Sequence, residues 1–128
     1  MPKKILQVIQ SAYRATIEEQ DDTIVWLAHM IKDNGGSPDV LLRGNAVNYA
    51  VKGQDASGLA FGDKQQTQPP RIADDLTKLL EKGVGVFVVS DDLADRGLER
   101  SHLIAGVKPT SRDELPALFD SFDQVWHW

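Results

Sequence analysis

A chain of 128 residues, 41% of them apolar, has the length of one domain and enough apolar residues for one hydrophobic core. Its formal charge of −5, from 19 acidic and 14 basic residues, does not suit a general phosphate-binding surface, so nucleic acid is not expected as a partner. There is no cysteine, which removes disulfides, thiolate metal sites, persulfides and thiol nucleophiles from this polypeptide.

The apolar run near the amino terminus, Ile5 to Ile9, is too short for a signal peptide or a membrane span, and the expected location is the cytoplasm. Lys4 to Gln10 reads as a first strand, because it is a short, buried-type run of aliphatic and β-branched residues with polar ends. Thr16-Ile17-Glu18-Glu19 has capping-box spacing, and Ile24, Leu27, Ala28 and Ile31 recur at helical period. These features predict a helix from about residue 17 to residue 33, ended by Asn34-Gly35-Gly36.

Pro38 to Arg43 reads as a second strand that stops at Gly44. A short helix follows, with Ala46, Val47, Ala50 and Val51 on its apolar face and Gly53 at its end. Residues 54–68 scatter Gly, Asp, Gln and Ser around Leu59 and Phe61 and read as a surface loop. Pro69-Pro70 opens a helix whose buried stripe is Ile72, Leu76, Leu79 and Leu80. Val84 to Val89 is unbroken in its apolar character, as expected of a central parallel strand covered on both faces.

Ser90-Asp91-Asp92 then reads as a helix start, with the serine hydroxyl as cap and the helix ending at Arg96-Gly97. His102 to Val107 is expected to form a fourth strand or a strand-like link. Ser111-Arg112-Asp113-Glu114 is a second capping box, opening a helix with Leu115, Leu118, Phe119 and Phe122. Gln124 to Trp128 closes the chain as a strand, with Trp126 and Trp128 on one face and Val125 and His127 on the other, so that at least one set packs on the core. This alternation predicts one domain over residues 1–128: a three-layer α/β/α arrangement around a mainly parallel five-stranded sheet, flavodoxin- or Rossmann-like.

The order of parts resembles the DsrE/DsrF-like family, which includes sulfur-relay proteins of the TusD type. The resemblance is carried by Lys3-Lys4-Ile5-Leu6-Gln7-Val8, by Leu41-Leu42-Arg43-Gly44-Asn45-Ala46-Val47, by Val86-Phe87-Val88-Val89-Ser90 running through Leu93 to Arg96-Gly97-Leu98, and by Asp123-Gln124-Val125-Trp126. Sulfur-relaying members carry a cysteine at the end of the central strand, and that place falls here on Val89 or Ser90. Neither residue can form a persulfide, since this requires a polarizable thiolate. The resemblance also implies a homotrimer or homohexamer.

Ligands of open parallel sheets bind beyond the strand carboxyl ends, near the point where strand order reverses. With the strand order that the resemblance implies, the segments meeting there are Gln10 to Tyr13, Gly44-Asn45 and Ser90 to Asp92. Ser11, Tyr13, Gly44, Asn45, Val89, Ser90 and Asp91 are therefore the candidate ligand-binding residues. Arg14 or Arg43 would help an anion, while Asp91 and Asp92 oppose it. The plainer reading, in which Ser90 and Asp91 only cap a helix, is preferred.

No catalytic residue is assigned, because Ser90, His102 and Asp91 lack a Gly-x-Ser-x-Gly elbow or any other supporting motif. His29, His102 and His127 lack metal-ligand spacing, and Gly35-Gly36 and Gly83-Val84-Gly85 read as helix terminators, so neither metal nor cofactor is expected. Arg96-Gly97 likewise reads as a helix stop rather than a binding arginine. The functional expectation is a non-catalytic DsrE-like protein, acting as a structural or regulatory subunit or binding a small ligand or partner chain. The alternatives are an enzyme or carrier that works without thiol chemistry, with Tyr13, Asn45, Ser90 and Asp91 as contacts, and a docking subunit for a cysteine-bearing sulfur-relay protein.

Overall fold

A computed structural model describes residues 2–12 and 22–128 of the chain. In chain order the elements begin with β1 (Lys4–Ile9), α1 (Thr23–Asp33), β2 (Ser37–Leu42) and a 3-10 helix over Gly44–Ala50. The short strands β3 (Ala60–Phe61) and β4 (Lys64–Gln65) precede α2 (Ile72–Glu81), β5 (Val86–Val89) and α3 (Ser90–Asp95). After a 3-10 turn at Arg100–His102 come β6 (Lys108–Thr110), a second such turn at Arg112–Glu114, α4 (Leu115–Asp120) and β7 (Gln124–His127).

The main sheet has five strands in the order β6-β5-β2-β1-β7, and every neighbouring pair is parallel. The chain steps outward from β1 through β2 and β5 to β6, then returns to place β7 on the other side of β1. The sequence of connections therefore reverses at β1.

Both faces of the sheet are covered. On one, Ile9, Val40, Leu42, Val86 and Val88 pack against Ile24, Val25 and Ala28 of α1 and Ile72, Leu76 and Leu79 of α2. On the other, Leu6, Val8, Leu41 and Val89 pack against Leu115, with Leu118, Phe119 and Phe122 around them. Strands buried on two faces need apolar residues at successive positions, which is why β2 and β5 read as continuous runs.

Several boundaries differ from the sequence expectation. α1 opens at Asp22, whose Oδ1 accepts the amides of Ile24 at 2.9 Å and Val25 at 3.2 Å. The capping box read at Thr16 to Glu19 lies outside the described residues. The helix expected after β2 is 3-10 in geometry. The 54–68 segment is not wholly loop: Ala60–Phe61 and Lys64–Gln65 form a hairpin around Gly62-Asp63, with Gly62 at φ +63°. Two-residue strands cannot display alternation, and the Gly-Asp pair was the available signal.

His102 to Val107 is not a strand; Leu103 makes a single antiparallel bridge to Val51, and the edge strand is Lys108–Thr110. Pro109 sits within it, a residue that a sheet accepts at an edge because it has no amide to donate. The second capping box forms as read, with the Ser111 amide and hydroxyl both donating to Glu114 Oε1, at 3.0 and 2.8 Å.

Candidate functional site

The carboxyl ends of β2, β5 and β6 lie side by side, and the segment leaving each strand contributes to one polar cluster. After β2 the chain turns through Gly44 at φ +56°, where an added Cβ would lie 3.2 Å from the Gln10 side chain. A left-handed turn in such close quarters favours glycine. The Gly44 amide donates to Asp92 Oδ2 at 2.8 Å.

Asp92 belongs to the first turn of α3, which β5 feeds directly. Its Oδ1 accepts from Arg112 Nη2 at 2.7 Å, and Arg112 follows β6. Arg96, at the end of α3, donates from Nη1 to the Asp92 carbonyl at 3.0 Å and from Nη2 to Asn45 Oδ1 at 2.8 Å. Asp91 accepts the Arg112 amide at 2.9 Å.

Ser90 does not cap α3 as expected. Its hydroxyl donates to the Thr110 carbonyl at 3.2 Å, and the N-cap position of α3 falls on Val89, which makes no side-chain cap. The reason is the parallel neighbour: β6 places the Thr110 carbonyl within reach of Ser90.

Burial alone would raise the Asp92 carboxyl, but the Gly44 amide and the Arg112 guanidinium outweigh it and hold the group below the usual carboxylate range. The paired Arg112 is pushed up in turn by its hydrogen bond to Asp92. The cluster is thus an ionised, internally paired network that ties three strand ends together. Its geometry suits holding backbone in place, since its carboxylate and guanidinium groups are directed at one another.

Of the residues singled out from sequence, Gly44, Asn45, Ser90 and Asp91 come together here. Val89 does not join them: it is fully buried in the core beside Leu6 and Leu41, and offers no surface to a ligand. Ser11 is exposed after β1 and has no hydrogen bond to the cluster among the described contacts. Tyr13 and Arg14 lie outside the described residues. Beside β1 the end of the sheet is closed by the Gln10 amide, which donates to the Trp128 carbonyl at 3.2 Å. Asp92 lies in the Ser90 to Asp92 segment expected at the strand ends, Arg96 reads as a helix stop and Arg112 as part of the Ser111 to Glu114 box; that the three form one cluster follows only from strand order.

A cavity of about 440 Å³ lies between residues 53–57 and the start of α2, with buried Tyr49 behind it. Among the described residues, no group of three or more His, Asp or Glu side chains is placed to hold a metal ion, and no helix is long and apolar enough to cross a membrane.

No protein-family model and no curated protein matches the sequence. The ychN protein from E. coli matches in structure with a TM-score of 0.75, over 100% of both chains, at 20% identity. The chain shares that fold. The protein of unknown function MTH1491 from Methanobacterium thermoautotrophicum matches over 97% of this chain and 98% of its own, with a TM-score of 0.62 and 13% identity. The conserved protein of unknown function BT1422 from Bacteroides thetaiotaomicron covers 98% and 95%, with a TM-score of 0.67 and 13% identity. At these identities the likeness to the ychN fold establishes architecture and nothing further.

Proposed function

We propose that the protein is a non-catalytic, DsrE/DsrF-like subunit of a homotrimer or homohexamer, binding a partner chain or small molecule through its strand-end segments. The observation that carries this reading is the commitment of the strand-end side chains to one another. Asp92 is held between Gly44 and Arg112, Arg96 between Asn45 and the Asp92 carbonyl, and Ser90 on Thr110. A nucleophile needs a base within hydrogen-bond reach, whereas the Ser90 hydroxyl is spent on a backbone carbonyl and the Asp92 carboxylate on an amide and a guanidinium. At the place of the family's cysteine stand a core valine and a hydrogen-bonded serine.

Assembly is supported by β7. Among the described residues it pairs only with β1, so its other edge is open, and Val125 of the strand is exposed. An open sheet edge is a ready surface for association. Native mass spectrometry of untagged protein from its own cells, compared with the denatured mass, tests both parts. A trimer or hexamer carrying a second component that is released on denaturation is expected; a bare monomer would overturn the proposal.

A further inference from the structure

We infer that the cavity at the start of α2 is a second binding site, for a small organic anion with a flat apolar body. It shares no residue with the strand-end cluster. Its volume of about 440 Å³ falls within the range of small-molecule pockets, roughly 300–1,000 Å³. Pro69, Pro70, Ile72 and Ala56 supply apolar walls. Tyr49 backs the cavity, and its hydroxyl donates to Asp22 Oδ2 at 2.6 Å.

The charged groups of the lining differ in what they have left to offer. Asp55 accepts the Ser57 amide at 2.9 Å, and the Ser57 hydroxyl and amide together hold its carboxyl below the usual range, so its oxygens serve their own turn. Asp74 stands in the first turn of α2 and opposes an anion. Arg71 is the one cation of the lining among the described residues. It lies within electrostatic reach of Asp55 without pairing with it, and among the described residues its side chain makes no hydrogen bond or ion pair. A guanidinium with its fork of donors unfilled, beside apolar walls, suits a carboxylate, sulfonate or phosphate carried on a planar apolar group.

Anilinonaphthalene sulfonate and its uncharged counterpart phenylnaphthylamine, titrated by fluorescence with calorimetric stoichiometry, form a matched pair of probes. The site predicts one saturable sulfonate per chain, bound about tenfold more tightly than the neutral dye, the worth of one charge-assisted hydrogen bond. Arg71→Gln should abolish that difference, and Asp74→Asn should tighten the sulfonate alone. Both positions are exposed, and circular dichroism checks that each variant is folded. Non-saturating binding, equal affinity for the two dyes, or an Arg71→Gln variant indistinguishable from the parent would overturn the inference. So would loss of binding in Phe61→Ser, which would place the dye on the exposed hairpin instead.

Discussion

Asp92 joins three strand ends through one carboxylate, so its protonation is linked to stability. Its folded pKa lies below the unfolded value of about 3.9, and the stabilisation is therefore complete above that value and lost as pH falls through the lower folded one. Asp92→Asn keeps one acceptor and removes the anion that Arg112 faces. A loss of about 1–3 kcal/mol at neutral pH is expected from urea unfolding, with a flatter acid limb than the parent. Parallel acid limbs would show that Asp92 is not the linked group. Val89 and Ser90, adjacent in sequence, differ in the same concrete way. A Ser90→Cys thiol should react with a chromogenic disulfide in the folded protein, while a Val89→Cys thiol should react only on unfolding, because Val89 is fully buried. The resemblance to sulfur-relay proteins marks both positions as the place of a relay cysteine, but burial separates them.

Among the elements, α1 depends on a contact from outside itself. Asp22 is fully buried, caps α1 through Oδ1 and receives the Tyr49 hydroxyl on Oδ2 at 2.6 Å. Tyr49→Phe removes that donor from a buried carboxylate and should cost about 1–3 kcal/mol by thermal or urea unfolding; a neutral result would show that the hydroxyl contributes nothing to holding α1. Capping chemistry was legible where it is local, as in Ser111 to Glu114, four consecutive residues that complete their own box. It was not legible at Ser90, where the Thr110 carbonyl of a neighbouring strand takes the hydroxyl. Nor was the Asp22–Tyr49 bond, which joins a helix start to the 3-10 helix after β2.

For the whole molecule, the placement of β7 matters most. Trp128 Nε1 donates to Gln7 Oε1 at 2.7 Å, anchoring the chain end to a fully buried glutamine of β1, while Val125 on the opposite face remains exposed. The expected alternation of the last strand leaves Trp126 half-buried and Val125, His127 and Trp128 exposed, so neither set is part of the two core clusters. If the β7 edge carries assembly, Val125→Lys should reduce the mass seen by light scattering to that of a monomer while circular dichroism remains that of the folded chain, since an edge charge blocks pairing and Val125 is solvent-exposed. An unchanged mass would move the interface elsewhere.

Residue pattern alone determined the α/β architecture, the main strands and helices, and the exclusion of thiol chemistry, because periodicity, capping boxes and composition are properties of neighbouring residues. Tertiary structure decided the strand order, the hairpin within 54–68, the burial of Val89, the pairing of Asp92 with Gly44 and Arg112, and the cavity beside Arg71. Each of these joins segments distant along the chain or too short to carry a period, so they exist only once the parallel sheet has brought their backbones together.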